Sequence, residues 1–435
     1  VKRVLTLILV IVLAGLAWRL PTPQAQTPPV TSSTTNAVAS TPSHSTCPWA
    51  YSDATIDTYL VAQSGDPADI RFTFPVGGEV RETREEQQGA SAATALSLAS
   101  VLNQGLDPAV IEFSSSPSAA GIVETGEGVL AVDTCPSSSS KIWHLPGGST
   151  LDGQSLLLVL VNPFSEDARA SVSAKSEVGP EPLTDLEAVT VTGRSWKVID
   201  LAALLPLRES LSVAVDMKQG ALTPVMVFGE GTDVGVWTNE GQAEQWDFPI
   251  VNTGGLSATL FVSNDASDPV DYQVDVYTPS GVESAVLTGT VDGASHVALP
   301  VNGFAEAPFG IRVTTSGPVA ATVVSEDGIR VAATSGIAEP QTRWMLPGFG
   351  IVGTSRFWVM NSGTDTATVT YRPVDASGAP GDVDKVAVPP ATMQAVRGLP
   401  LAATGLEVES NVPVSVAWSD ETGTAIGFAS GIPVP

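Results

Sequence analysis

The stretch WHLPGGSTLDGQSLLLVLVNPFSEDARASVSA (residues 143–174) decides how this chain is built, because it is written twice more further on. WDFPIVNTGGLSATLFVSNDASDPVDYQVDVY starts at Trp246, and WMLPGFGIVGTSRFWVMNSGTDTATVTYRPV starts at Trp344. Each copy opens on Trp, any residue, an apolar residue and Pro. It then crosses a glycine-containing loop, enters an apolar run and reaches an asparagine. The tryptophans Trp143, Trp246 and Trp344, and the asparagines Asn162, Asn264 and Asn361, are two independent landmarks. Both recur at a period of about 100 residues, which is the signature of internal repetition. A fainter first copy, CPWAYSDATIDTYLVAQSGDPADIRFTF (residues 47–74), puts Trp49 and Gln63 at the two landmark positions.

Within each copy the apolar residues alternate. Ala367, Val369 and Tyr371 point one way, while Thr368, Thr370 and Arg372 point the other. Val270, Tyr272, Val274 and Val276, then Ala168, Ala170 and Val172, then Ala68, Ile70, Phe72 and Phe74 repeat the pattern. A period of two belongs to strands with one face on a core and one in water. Gly, Pro, Asn and Ser mark the turns, and the Ser-Gly-Pro and Ser-Asn-Val-Pro segments (residues 316–318 and 410–413) read as hairpin connections. The expected fold is therefore all-β, with four tandem immunoglobulin-like β-sandwich repeats at 47–141, 142–241, 242–340 and 341–435. Strung head to tail, they make a rod.

Repetition also disposes of a nucleotide-binding reading. Gly348, Gly350 and Gly353 have G-x-G-x-x-G spacing, but a strand-like run follows them, and the aligned loops GGSTLDG and IVNTGG keep glycine without the spacing. A pyrophosphate cradle needs a helix there.

Acids outnumber bases 46 to 20, for a formal charge of -26. Such a field repels nucleic acid and anionic lipid headgroups. With 43% hydrophobic and only 15% charged residues, the chain is globular rather than disordered. Lys2 and Arg3 precede an apolar run from Val4 to Trp18, so residues 1–20 are expected to be a signal peptide or signal-anchor helix that places the rest outside the cytoplasm. Residues 21–46, rich in Pro, Ser and Thr and containing His44, read as a disordered spacer. In that compartment Cys47 and Cys135 are expected to form a disulfide.

No residue set forms a catalytic group. His144 and His296 fall in different copies, and His144 occupies a variable position expected to be exposed. Ser138 and Lys141 make an S-x-x-K inside a Ser-rich connector, without the partner motifs a serine acyl-transferase needs. Asp265, Asp268 and Asp271 form an acidic turn that is a candidate calcium site. The other copies lack its ligand set, and Asx-turn chemistry also accounts for the recurring Asn and Asp. The repeated tryptophans are assigned to packing at domain junctions. Trp196 and Trp237 have no counterpart in the other copies and are the candidates for a glycan-stacking platform. No cofactor is expected.

The W-x-apolar-P entrance, the Asn-ended strand, the acidic turn and the Pro/Ser/Thr spacer together resemble the uncharacterised exported actinobacterial proteins grouped as domain of unknown function 5719. The resemblance implies a secreted or membrane-anchored protein and carries no catalytic residue. The expectation is a non-enzymatic scaffold or adhesion-type interaction protein of the cell envelope, touching membrane only through its N-terminal segment. Its partner would be an envelope protein or polysaccharide. A glycan-binding accessory to polysaccharide assembly is the second reading, and an enzyme the third.

Overall fold

In the computed structural model, residues 43–102, 105–137, 140–239, 241–378, 381–396 and 403–434 are described. The apolar N-terminal run, the spacer up to residue 42 and Ser138 lie outside them. Among the described residues no helix is long and apolar enough to cross a membrane. The fold is all-β. Strand pairing stays within four successive stretches, 43–134, 142–237, 243–335 and 341–433, called modules here. Each module contributes two antiparallel sheets. In the second, Ile142–Pro146, Leu211–Gln219 and Ala168–Ser176 form the core of an outer sheet, and Ser195–Asp200, Gln154–Asn162, Thr223–Glu230 and Asp233–Trp237 form an inner one. The other modules repeat this order.

The outer sheets obey the alternation expected from sequence. Ala168, Ala170, Val172 and Ala174 are buried, while Arg169 and Ser173 are exposed. The inner sheets do not alternate, because both of their faces are covered. Along Gln154–Asn162, Leu156, Leu158 and Leu160 pack with Phe261, Val324 and Ala333 of the third module. The intervening Val159 and Val161 pack with Leu60, Ile122 and Phe72 of the first. In the fourth module, Phe357 and Val359 meet Val123, Leu130 and Val132 of the first, and Trp358 and Met360 meet Ile250 and Ala332 of the third. An uninterrupted apolar run is what a strand buried on two sides requires.

These shared cores join first to second, second to third, third to fourth and fourth to first. The innermost strands Val129–Thr134, Asp233–Trp237, Val331–Ser335 and Ile426–Ser430 pack on one another in the same closed order. The arrangement is propeller-like, with four inner sheets around one axis. The rod expected from sequence is thus replaced by a ring. A module taken alone would expose the second apolar face of its inner sheet, so closure removes from water what a rod would leave in it. Among the described residues no strand is exchanged between the first and fourth modules. Their junction is held by Ala93 N–H on Asp375 O (3.1 Å), Thr404 Oγ1 on Ala93 O (2.7 Å) and Gln63 Nε2 on Leu406 O (3.1 Å).

Three further expectations are corrected. The Ser-Gly-Pro and Ser-Asn-Val-Pro segments are not hairpins. They lie inside the continuous strands Phe309–Glu326 and Gly405–Glu421, which pair with the outer sheet before these points and with the inner sheet after them. Pro318 and Pro413 stand where the strand changes partners, so the missing N–H breaks no ladder. The spacer ends earlier than residue 46, since Ser43–Cys47 pairs with Ala109–Phe113. His44 is therefore an exposed strand residue, edge-on to Phe164.

The nucleotide reading is closed by packing. Gly348 and Gly350 both have φ +96, and the strand Arg356–Asn361 follows them instead of a helix. A Cβ on Gly348 would meet Val123 of the first module at 2.7 Å, and one on Gly350 would meet the Ala403 carbonyl at 2.4 Å. These glycines let the loop turn against the neighbouring module.

Cys47 and Cys135 form the disulfide, closing 88 residues and tying the entrance of the first module to the end of its innermost strand. Cys47→Ser with Cys135→Ser is expected to lower stability by about 4 kcal/mol in the chain-entropy account, read as a shift in urea midpoint without a change in slope. A loss below about 1 kcal/mol would mean that residual structure already restrains this loop in the unfolded chain without the bond.

Candidate functional site

The most unusual group in the ring is Asp233, 1% exposed, at the start of the second module's innermost strand. The other three innermost strands start at Val129, Val331 and Ile426, each opposite the last residue of the preceding strand. Oδ1 accepts the N–H of Leu130 (2.9 Å) and of Val234 (3.1 Å). Oδ2 accepts the N–H of Val331 (3.0 Å) and of Ile426 (3.1 Å). One carboxyl thus takes a backbone donor from every module. Burial pushes Asp233 up to about 7, and the four N–H bonds oppose that rise. Its role is a pin on the axis.

A second polar cluster sits between the second and third modules. The Lys175 ammonium pairs with Asp265 and donates to Asn264 O (3.0 Å) and Ser263 Oγ (3.2 Å). His144 Nδ1 lies 2.6 Å from the other Asp265 oxygen, and Gln242 Nε2 donates to it at 3.1 Å. Burial raises the Asp265 carboxyl, but the bonds from His144 and Lys175 outweigh it and hold the group at about 2. This corrects two expectations. His144 is buried, not exposed, because ring closure lays the third module over it. The calcium candidate also fails. Asp265 is already paired with the Lys175 ammonium and held by His144 and Gln242, while Asp271 turns to Thr290 Oγ1 (2.8 Å) and Asp268 is exposed, its carbonyl taken by Asn264. Among the described residues no group of three or more His, Cys, Asp or Glu is placed to hold a metal ion.

The same junction brings Ser210 Oγ within 2.9 Å of His296 Nε2, joining residues of two modules that sequence reading kept apart. A serine and an imidazole in contact can make a nucleophile and its base. Here both are buried, and burial followed by the Lys175 charge lowers His296 to about 4, which makes it a weak base. Its Nδ1 has no hydrogen-bond partner among the described residues to orient the ring. The contact ties two modules together.

The landmark asparagines are structural. Asn361 Nδ2 donates to Asp365 O (2.8 Å), Val388 O (3.0 Å) and Pro389 O (3.2 Å), and its Oδ1 accepts Gly363 N–H (3.0 Å). Asn264 and Asn162 make the same bonds to residues two and four ahead and to Val291 and Val191. Asn361→Ala is expected to cost about 3 kcal/mol, since it leaves buried carbonyls unpaired, and Asn361→Asp at least as much through carboxylate–carbonyl repulsion. Thermal unfolding at neutral pH checks both, and an Asp variant as stable as the parent would refute the donor role.

The landmark tryptophans Trp143, Trp246 and Trp344 lie inside the cores of their own modules. Trp49 lies at the junction between the first and second modules and donates to Glu124. Of the two glycan-platform candidates, Trp237 is fully buried in the second module's core and presents no face to a ligand. Trp196 is half-buried on the edge strand Ser195–Asp200.

What the ring does offer is a cavity of about 580 Å³ at one end of the axis, where the segments following all four innermost strands converge. Thr134, Thr238, Ser335 and Ser430 line it, with Asp133 and the edges of Trp246 and Trp344. Asp133 is half-buried at this cavity. Burial lifts its carboxyl well above the usual range, against N–H bonds from Thr134 and Thr238. Sequence reading missed the site because its lining comes from four connectors far apart in the chain.

No curated protein matches this chain. A family model described as a family of unknown function, DUF5719, matches residues 86–328, more than half of the chain, running from the first module's edge strand through the third module. The chain belongs to that family.

Proposed function

We propose that the protein is a non-catalytic, extracytoplasmic binding scaffold of the cell envelope, held at the membrane or released from it by its N-terminal segment. Each module is read as an immunoglobulin-like sandwich adapted to a ring. One observation carries the reading: the groups that could do chemistry are spent on holding modules together. Asp233 accepts from the backbones of four modules, and Lys175 and His144 both bind Asp265. Arg312 holds the fully buried Asp247, which also takes the Ser415 hydroxyl of the fourth module at 2.7 Å. Pairing of this kind stabilises buried charge and engages these groups in structure instead of activating a nucleophile. The axial mouth is a concave surface that suits recognition of an envelope protein or polysaccharide.

In-cell cross-linking of the full chain, followed by partner identification, tests this. A reproducible envelope partner, lost when the ring is opened by Asp233→Ala, is expected. Turnover of any substrate by the purified protein, abolished by one polar substitution that leaves the fold intact, would overturn the reading in favour of an enzyme.

A further inference from the structure

We infer that the axial mouth is a binding site for a neutral saccharide of one or two rings. This rests on the reading of the chain as a binding scaffold and names its ligand class. The cavity volume of about 580 Å³ lies within the range of roughly 300–1,000 Å³ for small-molecule sites. Its walls are of mixed character. Thr238, Thr334, Ser430 and Gln341 line the cavity together with Ile337, Ile432, Trp246 and Trp344. A pyranose is mixed in the same way, with hydroxyls around its rim and C–H faces above and below. Neutral hydroxyl and amide groups can each donate and accept, as a sugar hydroxyl does.

The charge of the site excludes the competing classes. Among the described residues no Lys, Arg or His lines the cavity, so a phosphate, sulfate or uronate would meet no cation from them. The whole chain carries a formal charge of -26, which repels anions before they arrive. Of the two acids on the wall, Glu339 is exposed at the rim. Asp133 is half-buried, and its carboxyl can accept from a sugar hydroxyl. The backbone around the mouth is already paired. Asn239 O takes His144 N–H, and Ile337 and Asp247 exchange both of their bonds, so the opening is not an unfilled strand position for a peptide.

The test is titration of the full chain with glucose, galactose, mannose, maltose, cellobiose and lactose at millimolar concentrations, read by tryptophan fluorescence and calorimetry. At least one sugar is expected to bind and to change the fluorescence. Ala338→Phe, which fills the cavity, should abolish binding. Thr238→Val and Gln341→Ala should each weaken it by about 3- to 10-fold, as loss of one hydrogen bond does, with unfolding temperature unchanged. The assignment is overturned if no sugar binds the parent protein, if binding survives Ala338→Phe in a folded variant, or if only a cationic probe such as spermidine binds. Loss of sugar binding with the envelope cross-link retained would remove the saccharide and leave the scaffold standing. Loss of both would remove both.

Discussion

Replacing Asp233 by alanine is expected to lower the unfolding free energy by about 5 kcal/mol or more, the largest effect of any single substitution in the ring. The reason is a count of donors. Four backbone N–H groups, of Leu130, Val234, Val331 and Ile426, end on the two oxygens of this one carboxyl. A buried N–H that loses its acceptor costs about 1–3 kcal/mol, and these lie where inner strands crowd too closely for easy rearrangement. A Cβ on Gly427, for instance, would already meet Val132 at 2.8 Å. Asp233→Asn separates hydrogen bonding from charge. Its amide oxygen can still take one pair of donors, while its NH2 opposes the other pair, so an intermediate loss is expected. Urea denaturation followed by tryptophan fluorescence checks both variants. Because the donors belong to all four modules, the alanine variant should also melt over a broader range, as the single transition divides. A loss under about 1 kcal/mol with a single sharp transition would mean that the axis is held by apolar packing alone.

How much of this could be read beforehand depends on the kind of signal. The repeat and its outer strands were legible, since a two-residue period reports directly on one buried face, as at Ala168–Ala174. The closed ring was signalled, but by a feature that reads two ways. Leu156 to Val161 is apolar without alternation, which means burial on both faces, yet nothing local says that the second cover is another module. The axial pin was hidden by the logic of repetition itself. A search for polar residues shared by all copies passes over Asp233, because the other innermost strands start on the apolar Val129, Val331 and Ile426. At an axis one residue serves every copy, and a second carboxylate there would repel the first. His144 and His296 were separated for the same reason. Their partners Asp265 and Ser210 belong to neighbouring modules, and contacts across modules leave no trace in spacing.

Stability is expected to peak in mildly acidic solution and to fall by roughly 5 kcal/mol or more between pH 5 and pH 9, an effect set by carboxyls that the ring encloses. Glu124, 2% exposed, is pushed up to about 8 by burial, which the Trp49 bond opposes and the nearby Asp233 charge reinforces. Burial likewise lifts Asp233 to about 7 and Asp420, despite hydroxyls from Ser355 and Thr354, to about 6. Unfolded carboxyls titrate near 4. Between that value and their folded values these groups hold protons that the unfolded chain has released. The folded state therefore binds more protons, and stability falls as pH rises from about 4 to 8, then levels. Each unit of difference corresponds to about 1.4 kcal/mol. Two groups act in the opposite sense at the acid end. Asp265, held at about 2, contributes stability that is lost as pH drops below 4, and His296, lowered to about 4, favours the fold increasingly up to its ordinary value near 6.5. Neither reaches the alkaline limb. Glu124→Gln isolates the main contributor, since its amide oxygen can keep the Trp49 hydrogen bond without a charge to bury. That variant should be more stable than the parent at pH 9, about equal to it at pH 5, and visibly flatter between. Unfolding temperatures across this range decide the matter, and a parent protein as stable at pH 9 as at pH 5 would show that these carboxyls reach water in the folded state.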